Sequence, residues 1–287
     1  MLTKASRCST KIIQEAAKLV CEREDFLKDS LPSCGNPTEV IKALTASDSW
    51  FVLADGQATA VLSLETFERR AAISQICTSD DSFEVVASVL RGELHAMKIA
   101  NLTLRVPPQE VDRWNRNGFQ RGPAFSKFSR TPTVSNMMPL LPLVNATRKE
   151  LPILSQLLYT AYAKTEEAFF DIQTAEASLR RTMSGARGTY LPDASYASGP
   201  LPKLVSACLL TADPPGGAKI DQLFTHPLYR ARGLATMEIA AAMNRLAASG
   251  VSSLNVWNRE GNDVVKRLLG KMGFSQQRTV VEMSTGT

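Results

Sequence analysis

A six-residue strand pattern occurs twice in this chain. Ile73-Ser74-Gln75-Ile76-Cys77-Thr78 returns as Ile220-Asp221-Gln222-Leu223-Phe224-Thr225, and the stop Gly118-Phe119 returns as Gly273-Phe274. Self-similarity at this spacing marks two related domains. The flanking patterns agree. In the first half, helical periodicity to about Ala46 gives way to an apolar strand at 50–54, a turn at Asp55-Gly56 and a return strand at 59–64. A strand at 71–78, a helix at 83–100, a strand at 102–106 and a short helix at 111–116 follow. The second half offers helices near 149–163 and 175–183, then strands at 203–210 and 218–225 joined by a turn at 214–217. A long helix, a strand and a helix complete it. Pro132, Pro139 and Pro142 break any periodicity between the halves, as a linker does. The boundary is placed near Asn136, giving domains 1–135 and 136–287, each a mixed twisted sheet flanked by helices in an α+β (mixed α/β) class.

Composition narrows the function classes. With 287 residues, 44% of them hydrophobic, the chain has enough apolar surface for two cores. No apolar run approaches the ~18 residues of a membrane helix, and the first twenty residues carry Lys4, Arg7, Lys11 and Glu15. The few acids before Glu15 faintly resemble a transit peptide, but Ile12, Ile13, Ala16, Ala17 and Val20 have the spacing of an ordinary helix. A cytoplasmic protein without membrane contact is expected. Five cysteines, an odd number without close pairing, point to reduced thiols. Two histidines and no Cys-x-x-Cys pair leave no ligand set for zinc, so no metal is expected. The net charge of +5 suits any polyanion, yet no basic run with interleaved aromatics marks a nucleic-acid groove, so none is expected as a partner.

The strongest chemical signal is the segment Thr225-His226-Pro227-Leu228-Tyr229-Arg230-Ala231-Arg232-Gly233-Leu234-Ala235, which follows a strand and opens a helix. A helix N-terminus carries unpaired N–H groups and about half a positive charge, so it forms an anion seat. Gly233 lets a diphosphate approach those donors, and Arg230 and Arg232 add cationic ones. Here the sequence resembles the GNAT superfamily of N-acyltransferases. Arg230, Gly233 and Ala235 match its Arg/Gln-x-x-Gly-x-Gly/Ala loop, and Asn262, Val265, Leu268 and Met272-Gly273-Phe274 match its later Asn-x-x-Ala-x-x-Leu-Tyr and Gly-Phe elements. The likeness runs from about residue 139 to 283, and the layout is that of tandem members. The first half keeps the strand but has Ser79-Asp80-Asp81-Ser82-Phe83-Glu84 in place of the cradle. Its carboxylates would repel phosphates, so this copy is expected to be degenerate.

The resemblance implies acetyl-CoA as co-substrate, held by residues 230–235 in a sheet splayed between the strand ending at Thr225 and the next. Backbone groups of Leu223, Phe224 and Thr225 would pair with the pantetheine arm, as an added strand does. Asn262 reads both as a contact to that arm and as the N-cap of its own helix; Gly273 reads as a helix C-cap. An amine, small-molecule or peptide, would attack the thioester directly, with the Phe224 N–H as oxyanion donor and Asp221 as candidate base. Asp221 reads as an exposed acid at a strand start before a base. His226 reads as a turn residue before a proton shuttle, and Cys208 as a buried thiol before a nucleophile. The family's usual acid, a Tyr, corresponds to Leu269, which cannot donate a proton. Tyr159, Tyr162, Glu166, Glu167 and Asp171 mark the expected acceptor region, and residues 192–202 read as a flap or a disordered loop. An N-acetyltransferase, monomeric or homodimeric, is the expected function. A non-catalytic CoA-binding or sensory module is the alternative, and a basic interaction protein without cofactor is the next.

Overall fold

The computed structural model describes residues 1–22, 38, 49–54, 57–67, 70–78, 82–96, 98, 101–165, 168–169, 171–200, 203–213 and 216–285. The turn expected at Asp55-Gly56, most of the helical stretch expected up to Ala46, Asp80, Asp81, Glu166 and Glu167 lie outside the described residues. Strands are β1 Leu2–Lys4, β2 Ser49–Ala54, β3 Gln57–Phe67, β4 Arg70–Thr78, β5 Asn101–Val106 and β6 Phe119–Arg130. They continue with β7 Leu143–Asn145, β8 Tyr196–Ser198, β9 Ser206–Asp213, β10 Gly217–Thr225, β11 Leu254–Arg259 and β12 Ser275–Thr285. Helices are α1 Thr10–Glu22, α2 Phe83–Ala96, α3 Val111–Arg116, α4 Leu151–Tyr162, α5 Ile172–Ser184, α6 Leu234–Ala248 and α7 Asp263–Lys271.

The chain divides into two compact units, and not by the single cut expected near Asn136. One holds residues 1–126, 259–261 and 278–287; the other holds 127–258 and 262–277. In the first unit the strand order is β1-β2-β3-β4-β5-β12-β6, with β4 and β5 parallel. Alternation fixes the inner face: Leu102, Leu104 and Val106 of β5 are buried while their neighbours are half-buried. On α1, Ile13, Ala16, Ala17 and Val20 form the apolar stripe read from the sequence and pack against Phe51 and Val61. The ring of Trp114 meets Phe83 and Phe119 edge-on at 4.5 and 4.9 Å in the main core.

Two long strands were not expected. The sequence of β6 contains Gly122-Pro123, which reads as a loop, and the start of β12 is polar up to Thr279. Yet Val281 and Met283 of β12 are buried in the first unit's core, paired to β5 through Val281↔Val106 and Met283↔Leu104. The first unit is therefore closed by the end of the chain.

In the second unit β10 lies antiparallel to β9 and parallel to β11, in the order β11-β10-β9-β8-β7. Cys208 and Leu210 of β9 join a core with α6 and α7, whereas Ala207 and Leu209 join one with α4 and α5. Successive residues thus reach opposite faces, and helices cover both. Residues 192–200 are neither flap nor disordered. They form a 3-10 turn at Pro192–Ala194 and then β8, paired to β7 and β9. The serines that gave the segment its loop-like composition are buried and satisfied: the Ser195 hydroxyl donates to Leu191 O at 2.8 Å and accepts from Leu210 N–H at 2.9 Å.

Truncating the buried Met283 side chain should cost about 2–5 kcal/mol through the cavity it leaves. In Met283→Ala the loss is expected in the first unit, although the residue lies at the far end of the sequence. Hydrogen exchange checks this: protection should fall in β5 and persist in β9.

Candidate functional site

Ladder pairing positions the site. Ala218↔Leu254, Lys219↔Asn255 and Ile220↔Val256 are the parallel partners of β10 and β11, and the pairing ends there. On the other side the register with β9 shifts between Ile220 and Gln222, so Asp221 sits at a bulge. Beyond it the β11-facing edge of β10 is unpaired with β11, which is the splay expected from the sequence. The first unit repeats this pattern at the matched residues. Parallel pairing of β4 with β5 ends at Ile73↔Leu104, and a register shift leaves Ser74, the counterpart of Asp221, without a ladder partner.

Backbone directions follow from the alternation in an antiparallel ladder. His226 N–H donates to Val205 O at 2.8 Å, and Leu210 on β9 turns its N–H and C=O away from β10, towards Ser195 and Leu191. The pairs Gln222↔Leu209 and Phe224↔Ala207 therefore exchange their hydrogen bonds. The Ser206 hydroxyl also donates to Phe224 O at 3.3 Å. The Phe224 N–H thus points to β9 and not into the splay, which corrects the assignment of Phe224 as oxyanion donor and pantetheine partner. Leu223 and Thr225 face the splayed side.

The loop after β10 combines a 3-10 turn, left-handed backbone and open space. His226 caps a 3-10 turn at Pro227–Tyr229, its Nδ1 accepting from Leu228 N–H at 3.2 Å, as a turn residue does. Ala231 and Gly233 both adopt left-handed backbone, with φ of 59° and 77°. Such conformations turn successive N–H groups towards one side. Gly233 is the N-cap of α6, and a Cβ placed on it would meet nothing within 4 Å, so the space before the helix is open. Residues 231–233 are exposed. No acceptor among the described residues takes the N–H groups of Ala231, Arg232, Gly233, Leu234, Ala235 and Thr236; the first bond of the helix is Met237 N–H to Gly233 O, at 3.1 Å.

The side chains around the loop divide differently from expectation. Arg230 donates through Nη2 to Ala161 O at 2.6 Å and through Nε to Thr225 O at 3.3 Å, tying the loop to the end of α4. Arg232 lies over the Tyr229 ring, 5.2 Å from its centroid. Asp221 is not an exposed acid. Its Oδ2 accepts from the Thr182 hydroxyl at 2.5 Å and from Arg187 Nη1 at 3.4 Å, and Lys219 Nζ lies 3.9 Å from Oδ1. A carboxylate so occupied is a bridge between β10 and α5. Asn262 caps α7, accepting from Val265 N–H at 3.3 Å, and Gly273 follows the end of that helix with φ 76°. Leu269 is buried in the core, and Asp171 is the N-cap of α5 in a capping box with Thr174. Cys208 is buried, and desolvation pushes its thiol well above the ordinary range, against a nucleophile.

Sequence reasoning missed Glu238. It lies on the inward face of α6, fully buried, accepting from Ser198 Oγ at 2.6 Å and Ser206 Oγ at 2.9 Å, while Ser206 Oγ also lies 2.8 Å from Thr225 Oγ1. Burial pushes its carboxyl up to about 8, more than the two hydroxyls offset. A lone acid in the apolar run Leu234-Ala235-Thr236-Met237-Glu238-Ile239-Ala240 was the available signal.

A carboxyl neutral in the fold and ionised in the unfolded chain has a raised folded pKa. Its contribution to stability is complete below the unfolded value of about 4.3 and is lost as pH rises to about 8. Glu238→Gln is neutral throughout. Its stability relative to the natural protein should therefore improve between pH 4.5 and 8, by an amount on the order of 4–5 kcal/mol, as checked by denaturant titration across that range.

The comparisons with known proteins bear on the fold. No curated protein matches the chain. A GNAT N-acetyltransferase from Sphaerobacter thermophilus superposes with a TM-score of 0.72 at 13% identity, over 99% of this chain and 94% of the other. A tandem GNAT protein from the clavulanic acid biosynthesis pathway, solved without AcCoA, gives 0.67 at 16% identity, over 100% and 99%. A GNAT-family acetyltransferase from Colwellia psychrerythraea gives 0.56 at 9% identity, over the full length of both chains. Residues 158–274 match the Acetyltransferase (GNAT) family, and the chain has the fold of tandem GNAT proteins along its whole length.

Proposed function

We propose that the second unit binds acetyl-CoA or a similar acyl-CoA and transfers the acyl group to an amine. The observation that carries this reading is the run of six N–H groups, from Ala231 to Thr236, without an acceptor among the described residues at the head of a 15-residue helix. A diphosphate seated there would gain several charge-assisted hydrogen bonds and the positive end of the helix. Its pantetheine arm would run along the unpaired edge of β10 and bond to Leu223 and Thr225, with Asn262 at its flank. Leu223 N–H, next to the bulge and facing the splay, is the backbone donor for the oxyanion. The amine attacks the thioester carbonyl, the tetrahedral intermediate collapses to an amide, and CoA departs as a thiol with pKa around 8.5, which needs little acid help. The first unit keeps the bulge and the splay but carries Glu84 in the first turn of α2, and is read as a copy without cofactor.

A second reading, CoA binding without turnover, is favoured by two specific features. Leu269 stands where the resemblance expects a tyrosine, and Asp221 is held by Thr182, Arg187 and Lys219.

At about 100-fold above its Kd, acetyl-CoA should stabilise the protein by about 2.7 kcal/mol. Gly233→Asp, which fills the open space with a like charge, should abolish that shift. Thiol release with an amine panel separates the two readings. An unchanged melting temperature at saturating acetyl-CoA would remove both.

A further inference from the structure

Glu238 has no role in the reading above, yet it lies beneath the proposed anion seat. It is one helical turn past Leu234, which puts it about 6 Å further along the axis from the unpaired N–H groups. Among the described residues its carboxyl meets hydroxyls, Ser198 on β8 and Ser206 on β9. The titratable group facing it is Cys208 on β9, itself held neutral by burial and by Glu238. Among the described residues, the polar link from β10 reaches it from Thr225 by way of Ser206. On the 3-10 turn packed against α6, Asp193 is paired with Arg245 at 2.9 Å, and Tyr196 of β8 donates to Asp193 O. No cation among the described residues is in contact with Glu238 to hold it ionised.

We propose that Glu238 is a positioning residue that couples cofactor binding to proton uptake: with its carboxyl neutral, α6 presents its full positive end to the diphosphate, and with it ionised, seat and cofactor repel. This rests on the acyl-CoA reading. The hydroxyl chain adds a directional component. An ionised Glu238 needs the Ser206 proton, and the Thr225 hydroxyl then donates inward to Ser206. A neutral Glu238 donates its own proton to Ser206, Ser206 donates onward to Thr225 Oγ1 or Phe224 O, and the Thr225 hydroxyl is freed from donating inward. No bond other than O–H is made or broken, and the proton taken up comes from solvent.

A unit charge about 10 Å away at an effective dielectric of about 20 moves a pKa by about one unit, so bound diphosphate should raise that of Glu238 from about 8 to about 9 or above. Acetyl-CoA suits the test because its sulfur is acylated and does not titrate. Calorimetry on the full chain should show affinity for acetyl-CoA falling about fivefold from pH 7 to pH 9, with about 0.4 proton taken up at pH 8 in buffers of different ionisation heat. Glu238→Gln should bind with no such slope and no uptake. Tight binding by the natural protein without proton uptake overturns the inference alone, and that measurement does not depend on the variant's folding. An identical slope in both proteins also overturns it. If the natural protein binds no acetyl-CoA at pH 7, the inference falls together with the functional reading.

Discussion

Parallel pairing between β10 and β11 stops at Ile220↔Val256, and the rest of the proposed site depends on that stop. The bulge at Asp221 gives β10 one more residue than β9 can pair, so the strand twists away from β11 and its outer N–H and C=O groups lose a neighbour. Unpaired edge groups are an invitation to an added strand, and an extended amide-bearing arm is one. The contacts of Asp221 make sense in this light. Thr182, Arg187 and Lys219 hold the side chain at the point where the ladder slips, so an acid placed for catalysis by sequence reasoning instead pins the irregularity that opens the sheet.

The first unit shows how much of this belongs to the fold alone. Ser74 occupies the same bulge and Ile73 ends the same parallel pairing, in a strand whose sequence repeats that of β10. What differs is the continuation: Arg230-Ala231-Arg232-Gly233 in one copy, Ser79-Asp80-Asp81-Ser82 in the other. Strand geometry is set by apolar alternation and backbone sterics and survives changes in the loop. An anion seat depends on a few residues able to take left-handed backbone without adding negative charge, and a carboxylate there ends it.

The legible parts of the sequence were those where one residue type has one physical use. Gly233 between a strand and a helix, Gly273 after a helix and the stripe of α1 each lie in the structure as read. The repeated hexapeptide marks the strand that carries the bulge in each unit. Illegible parts required partners distant in sequence. Nothing local shows that Val281 and Met283 complete a core begun at Val52, or that Ser195 and Ser198 are buried because Leu210, Leu191 and Glu238 satisfy them. The direction of the Phe224 N–H is a matter of register, and register is set by β9.

Glu238 joins these two kinds of information. Its presence on an apolar face was visible, but its meaning depended on the serines of two strands that read as loop or as ordinary core. Burying a carboxyl with hydroxyls alone favours the neutral acid, because hydroxyl dipoles do not replace lost hydration of a full charge. A hydrophobic residue in its place would deprive the buried Ser198 hydroxyl of its acceptor, while Ser206 would keep Phe224 O and Thr225 Oγ1 within reach. Placed one turn below a helix end with unpaired N–H groups, such a carboxyl makes the field at that end depend on a single proton.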